Sequence, residues 1–355
     1  MLIPNTFADC SSGVGRPSGP AVTTPAGHRR VHDLLAQAAL HYRRSLAGAP
    51  GALAYLKARG VGYVVAQRFE LGYACSAWRD LGEVLGGYGE DEIAASGLVV
   101  PHPGGRRAGG FDRFRDRLMF PIRDLEGQVA GFGARAVGDR GPGMVKYLNS
   151  PEGSCFRKRE LLYGLHEAQH AIRQHGFAVV MEGYLDVLLS VQAGLEVAVG
   201  SLGTALSVHQ VQSLLALAPR LVFCFDADEA GRLAARRALH LVAPFASAGR
   251  RFAFAMLPPG QDPASLLQSE GPAALWRSVR QAVAFEVFAA QCAGDGCDLT
   301  IAEGRARCAA QLGQVWRLVP PSPARDMLVW RCAVLLGQSE SVVRQMWLRL
   351  RSAQG

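Results

Sequence analysis

Five carboxylates in three short motifs are the residues of this chain whose types and spacing could do chemistry. Glu182 and Asp186 lie in VVMEGYLD (179–186), Asp226 and Asp228 in LVFCFDAD (221–228), and Asp262 in PPGQDP (258–263). Like charges about 4 Å apart repel by roughly 1 kcal/mol in water and by about 4 kcal/mol at an effective dielectric near 20. Carboxylates gathered in one place therefore call for a cation, and hard oxygen donors favour Mg²⁺. Asp226 and Asp228 are two residues apart, so in extended chain both point to one side and can reach one metal site or two adjacent ones. The competing reading makes Asp228 an ordinary N-cap for a helix opening at Glu229. The EGYLD motif 44 residues before Asp226 weighs toward metal.

The elements that must position these groups can be read from the apolar pattern. Both of the first two motifs follow an apolar run of the kind found in buried parallel strands. The spacing predicts helix 160–175, strand 177–181, helix 184–193, strand 196–199, helix 207–217, strand 221–225, helix 229–243 and strand 251–256. Strands alternating with helices imply an α/β fold with a parallel sheet covered on both faces. Ligands of such sheets gather beyond the carboxyl ends of the strands, where Glu182, Asp226 and Asp228 fall. Upstream, residues 1–30 are rich in Gly, Pro, Ser and Thr without periodicity and are expected to form a disordered tail. Helical signal starts near Val31, and Gly60 stops a second helix. From Leu98 to Ala136 short apolar runs predict a small, mainly antiparallel β element with a hairpin turn at Asp124–Gly127. Beyond about residue 271 the chain reads as helical, with Pro320, Pro321 and Pro323 separating two amphipathic stretches. The expected division is a tail (1–30), a mixed α+β basic subdomain (31–175), a metal-binding α/β domain (176–270) and a helical C-terminal subdomain (271–355).

The 355 residues are 49% hydrophobic, enough to bury several cores. No apolar run approaches the ~20 residues of a membrane span and no signal peptide is evident, so a cytoplasmic protein with no membrane partner is expected. Eight cysteines lack any C-x-x-C pair and read as reduced thiols. The net charge of +8 is uneven: residues 101–160 hold twelve Lys or Arg against seven Asp or Glu, whereas 177–270 hold six against eight. A basic segment beside an acidic one suits a polyanion gripped in one place and reacted in another.

The motifs resemble, in order, the catalytic (toprim) core of bacterial DnaG-type primases. The resemblance rests on EGYLD (182–186), SLGTA (201–205), FDADEAGR (225–232) and LPPGQDP (257–263), and upstream on FDRFRDRLMFPIRD (111–124), GFGAR (131–135) and KYLNSPE (146–152). It covers roughly residues 31–290. It implies a nucleotidyltransferase, a DNA-directed RNA polymerase core that makes short RNA primers on single-stranded DNA from nucleoside triphosphates with Mg²⁺ or Mn²⁺. By the family's pattern Glu182 is the catalytic carboxylate nearest the chemistry, with Asp186 supporting it, while Asp226, Asp228 and Asp262 hold divalent metal. Arg113, Arg115, Arg135, Lys146, Tyr147, Asn149 and Lys158 match the family's nucleic-acid- and nucleotide-binding positions.

Two departures stand out. Ala264 occupies the position of the family's second Asp after the Asp-Pro dipeptide, which removes a carboxylate from the metal region. The family's N-terminal zinc ribbon needs three Cys and one His, and residues 1–30 offer only Cys10 and His28. No structural zinc is therefore expected in this chain, nor a helicase-binding domain. A zinc-ribbon domain or helicase acting in trans is the implied partner. The alternatives are a toprim nuclease or a catalytically weakened nucleic-acid-binding protein. A third pattern, His166-Glu167-Ala168-Gln169-His170, fits the H-E-x-x-H of zinc hydrolases, but no third-ligand motif follows it, and the segment aligns with a primase helix leading into the toprim strand.

Overall fold

The computed structural model describes residues 24–101, 110–138, 145–247 and 249–352. Its first helix, α1 (Pro25–Ala47), begins inside the stretch expected to be a tail. Thr24 accepts a hydrogen bond from the Gly27 amide at 3.1 Å, and Pro25 opens the first turn. This capping signal extends the helix upstream of the apolar stripe that begins at Val31. The rest of the expected tail, residues 1–23, lies outside the described residues.

Short elements follow: α2 (Pro50–Ala58), α3 (Tyr63–Arg68), β1 (Gly72–Ala74), α4 (Gly82–Leu85), α5 (Glu90–Ser96), β2 (Val99–Val100) and β3 (Phe111–Asp112). Strands β4 (Arg117–Arg123), β5 (Val129–Ala136) and β6 (Tyr147–Asn149) join β1 in an antiparallel sheet of order β1-β4-β5-β6. The β4–β5 hairpin turns at Asp124–Gly127 as expected, with Asp124 N–H donating to Gln128 O at 3.0 Å. The sheet also draws strands from beyond the expected 98–136 stretch. Alternation along β4 splits two cores. Leu118, Phe120 and Ile122 join the large core shared with the second sheet, and Met119 joins a smaller one with Leu34, Leu35, Tyr42 and Phe132 under α1.

Helix α6 (Leu165–His175) is shorter than the expected 160–175. Gly164 at φ 77° breaks the helical path, and Tyr163 bridges to Gly200 instead. The alternating region then runs β7 (Phe177–Met181), α7 (Tyr184–Gln192), β8 (Ala198–Gly200), α8 (Val208–Leu217), β9 (Arg220–Phe223), α9 (Glu229–Val242), β10 (Arg251–Phe254), α10 (Pro263–Glu270), α11 (Pro272–Arg280) and β11 (Val283–Ala284). The sheet order is β11-β10-β9-β7-β8, with parallel pairing from β10 to β8. The antiparallel edge strand β11 was not legible because it is only two residues long. Helices α12 (Phe285–Gly294), α13 (Ala302–Leu318), α14 (Pro323–Leu336) and α15 (Glu340–Ser352) complete the chain. They extend the large core through contacts such as the stacked Phe254–Phe288 pair at 4.0 Å. Among the described residues no helix is long and apolar enough to cross a membrane.

Candidate active site

β7 and β9 are neighbours in register, Val180 opposite Phe223, and Cys224 N–H donates to Val180 O at 2.9 Å. Glu182 and Asp226 therefore emerge beyond the carboxyl ends of adjacent parallel strands. Glu182 Oε1 and Asp226 Oδ1 are buried with no hydrogen-bond partner among the described residues. An orphaned buried acceptor costs about 1–3 kcal/mol, and more when charged. Two such oxygens, one from each of two adjacent strand ends, are the donor set a divalent cation satisfies.

The electrostatics agree. Burial, followed by the charges of Asp186, Glu182, Asp262 and Asp228, pushes the Asp226 carboxyl up to about 7. Burial, followed by Asp262, pushes Asp186 up to about 6, against opposing hydrogen bonds from the Ala264 and Gly183 amides. Burial also raises Glu182, partly offset by a hydrogen bond from the Asp226 main chain. Asp186 is 8% exposed and accepts from Ala264 N–H at 3.2 Å, so the residue standing where the family has Asp contributes its main chain.

Asp228 and Asp262 turn out to be N-caps. Asp228 accepts from Gly231 N–H at 2.7 Å at the start of α9, and Asp262 from Ser265 N–H at 2.6 Å at the start of α10. Capping by Asp228 uses one oxygen, so the cap and metal readings of this residue are compatible. Among the described residues no three His, Cys, Asp or Glu side chains are placed to enclose a metal by themselves. A pair of free carboxylate oxygens still suits Mg²⁺, which takes one or two carboxylates and fills its shell with water and phosphate oxygens.

Two glycines that the sequence reading passed over hold this geometry. A Cβ on Gly183 would overlap Asp186 Oδ2, and one on Gly231 would overlap the Asp226 main chain. Their signal was present in the E-G-Y-L-D and D-E-A-G-R spacings.

The basic positions fall into three settings. Arg135, 7% exposed, is held between Tyr55 and Tyr147, its guanidinium carbon 4.8 and 5.1 Å from their ring centres, and it donates to the Tyr147 hydroxyl. Lys146 Nζ lies 6.0 Å from the Tyr147 ring. Arg59, missed in the sequence, stands over Tyr55 at 5.5 Å. Burial raises the Tyr147 hydroxyl, Asp186 raises it further, and Arg135 and Arg59 oppose the rise. This cluster and the carboxylates thus share one electrostatic neighbourhood.

Asn149 is turned inward: it accepts from Tyr184 Oη at 2.7 Å and donates to Leu202 O at 2.7 Å. Tyr184, the tyrosine of E-G-Y-L-D, also stacks on Phe120 at 4.9 Å and bolts α7 to the antiparallel sheet. Arg113 donates to Gly97 O at 2.8 Å, and burial lowers its affinity for the proton. Arg115 lies 4.3 Å over Trp78 and 4.8 Å over Phe111, and Trp78 is 63% exposed. An exposed indole topped by a cation is a stacking platform for a nucleic-acid base, and Trp78 was also missed. Lys158 is half-buried, its carbonyl accepting from Gln210 Nε2 at 2.9 Å.

The H-E-x-x-H segment serves packing. His166 Nδ1 lies 3.2 Å from Leu125 O in the hairpin turn, against Gly127, and Glu167 is partly buried beside Arg123 at 3.7 Å. Burial raises the Glu167 carboxyl.

Comparison with known proteins converges on one group. Residues 41–169 match the family model described as the DNA primase catalytic core, N-terminal domain, and residues 179–267 match a Toprim-like model. A DNA primase of Pseudomonas aeruginosa is 39% identical over 324 residues, spanning 89% of this chain and 48% of that protein. The chain thus spans about half the length of the curated relatives it matches. A DnaG primase catalytic domain solved bound to single-stranded DNA superposes with a TM-score of 0.81 at 34% identity, covering 90% of this chain and 99% of that one. The zinc-binding and RNA polymerase domains of the Aquifex aeolicus primase align with a TM-score of 0.76 at 28% identity, covering 89% and 75%.

Proposed function

The chain belongs to the DnaG-type primase catalytic-core family, and from that premise we propose that it is a DNA-dependent RNA polymerase core that synthesises short RNA primers on single-stranded DNA. The observation that carries the reading is the pair of orphaned buried oxygens, Glu182 Oε1 and Asp226 Oδ1, at the ends of adjacent strands. They would hold Mg²⁺ or Mn²⁺, with Asp186, Asp228 and Asp262 around them. A divalent cation held there supplies positive charge to the attacking 3′-hydroxyl and to the triphosphate leaving group.

The chain's own residues account for the rest. The carboxylates keep the site acidic only when a cation offsets their repulsion, so proton and cation compete for Asp226. Arg135, fixed between two rings, and Arg59 beside it offer pre-set positive charge to nucleotide phosphates, and Lys146 and Lys158 extend that surface. Arg113 and Arg115 with Trp78 form the template side, where backbone charge is met by guanidinium and a base by the indole. Asn149 serves this surface by positioning Tyr184. The match at 41–169, outside the toprim segment, supports a primase over a toprim nuclease. A zinc-binding domain or a helicase would act in trans, and a replication role would place the protein in the cytoplasm.

The test offers purified protein single-stranded DNA, labelled ribonucleotides and Mn²⁺ or Mg²⁺, with a zinc-ribbon domain added in trans. Oligoribonucleotides are expected from the wild type and a fall of ~10²-fold or more from Glu182→Gln and Asp226→Asn. Absence of product from the wild type under all these conditions would sink the polymerase reading.

A further inference from the structure

Among the described residues, only three side-chain carboxylate or amide oxygens are buried without a hydrogen-bond partner: Glu182 Oε1, Asp226 Oδ1 and Gln261 Oε1. The first two define the cation site. The third comes from the loop between β10 and α10, and the fold ties that loop directly to the Asp226–Asp228 segment. Ala227 N–H donates to Gln261 O at 2.8 Å, and Gly260 N–H donates back to Ala227 O at 3.2 Å. Gly260, at φ 75°, makes the sharp turn this pairing needs. Gln261 is thereby fixed beside the residue that separates the two aspartates, and Asp262 follows it as the α10 cap.

Resting on the cation reading above, we propose that Gln261 Oε1 is a neutral oxygen ligand of the divalent cation. Amide carbonyls are ordinary donors to hard cations. A neutral donor also solves a problem specific to this site. Glu182, Asp226 and the acids around them already crowd this end of the sheet, so a further acid would add repulsion, whereas an amide adds coordination without charge. The chain lacks a carboxylate at Ala264, in the first turn of α10, whose main chain is engaged with Asp186, and Gln261 supplies an oxygen from the loop just before that helix. If the amide were turned the other way, Nε2 would face inward and donate to a carboxylate. Gln261 would then be structural, and its loss would weaken the fold without metal.

The experiment titrates Mn²⁺ into the protein without DNA or nucleotide, following free Mn²⁺ by electron paramagnetic resonance, for wild type, Gln261→Ala and Gln261→Glu. Thermal melting in EDTA accompanies each. The expected result is a Kd raised about tenfold in Gln261→Ala, binding recovered in Gln261→Glu at pH 8, and a metal-free melting temperature for Gln261→Ala within about 1 °C of wild type, since no hydrogen bond to Oε1 is lost. Equal Mn²⁺ affinity in wild type and Gln261→Ala overturns the assignment of Gln261 while leaving the cation site standing. A lowered metal-free melting temperature in Gln261→Ala overturns it too, in favour of the structural role. No Mn²⁺ uptake by the wild type overturns the cation site itself and Gln261 with it.

Discussion

Asp226→Asn should stabilise the metal-free protein at neutral and alkaline pH while abolishing its response to divalent cation. In the folded chain Asp226 ionises near 7, against about 3.9 in an unfolded chain. An acid whose folded value is raised gives its full contribution to stability below the unfolded value. That contribution is lost as pH climbs from about 4 to about 7, because the folded state must then carry a charge it disfavours. At ~1.36 kcal/mol per pH unit the gap corresponds to about 4 kcal/mol. The side chain is only partly buried, so solvent screening discounts this to about 2 kcal/mol. Asparagine keeps the shape and carries no charge. At pH 8 in EDTA the variant should therefore melt about 3 °C above wild type. At pH 4, where the wild-type carboxyl is protonated in the fold, the two should nearly coincide. Adding Mn²⁺ should raise the wild-type melting temperature and leave the variant's almost unchanged. The assay is calorimetry or far-ultraviolet circular dichroism across pH 4–8. Parallel pH profiles for the two proteins in EDTA would refute the claim that burial and neighbouring carboxylates strain this site.

Two further outcomes follow from the packing. Gly231→Ala would normally gain up to ~1 kcal/mol in a helix, but here the new Cβ meets the Asp226 main chain. A net loss of about 1–3 kcal/mol in denaturant unfolding is expected, together with loss of priming, and a stabilised variant would contradict the close approach. Trp78→Ala removes an exposed ring from under Arg115. Single-strand affinity should fall by about 1–3 kcal/mol in fluorescence anisotropy with stability unchanged within ~0.5 kcal/mol, whereas unaltered binding would remove this platform from the template path.

The order of elements was legible because each local signal agreed with the next. The strands expected at 177–181 and 221–225 correspond to β7 (Phe177–Met181) and to β9, which runs Arg220–Phe223, and the acids after them lie at strand ends as the parallel topology requires. Asp228 could be read two ways, and the structure shows the cap, which occupies one of its two oxygens and leaves the metal reading compatible with it. The start of α1 was misjudged because a Thr-Pro cap carries the helix into a stretch with no apolar stripe. The H-E-x-x-H histidine His166 takes a partner that only packing supplies, the Leu125 carbonyl of the hairpin turn.

What the sequence determined by itself was the set of acids, the elements carrying them and the order in which they follow, because these depend on residue type and on periods of two and 3.6. What only the tertiary structure decided was which atoms are left without partners and which side chains meet. Tyr55 in α2 and Arg59 just past its end join Arg135 and Tyr147 from some eighty residues upstream. Asn149 is spent on Tyr184 rather than exposed, and Gln261, unremarkable in the sequence, carries like Glu182 and Asp226 a buried oxygen that nothing among the described residues satisfies. Such facts arise from non-local packing and from the desolvation it imposes, neither of which is written in the spacing of residues along the chain.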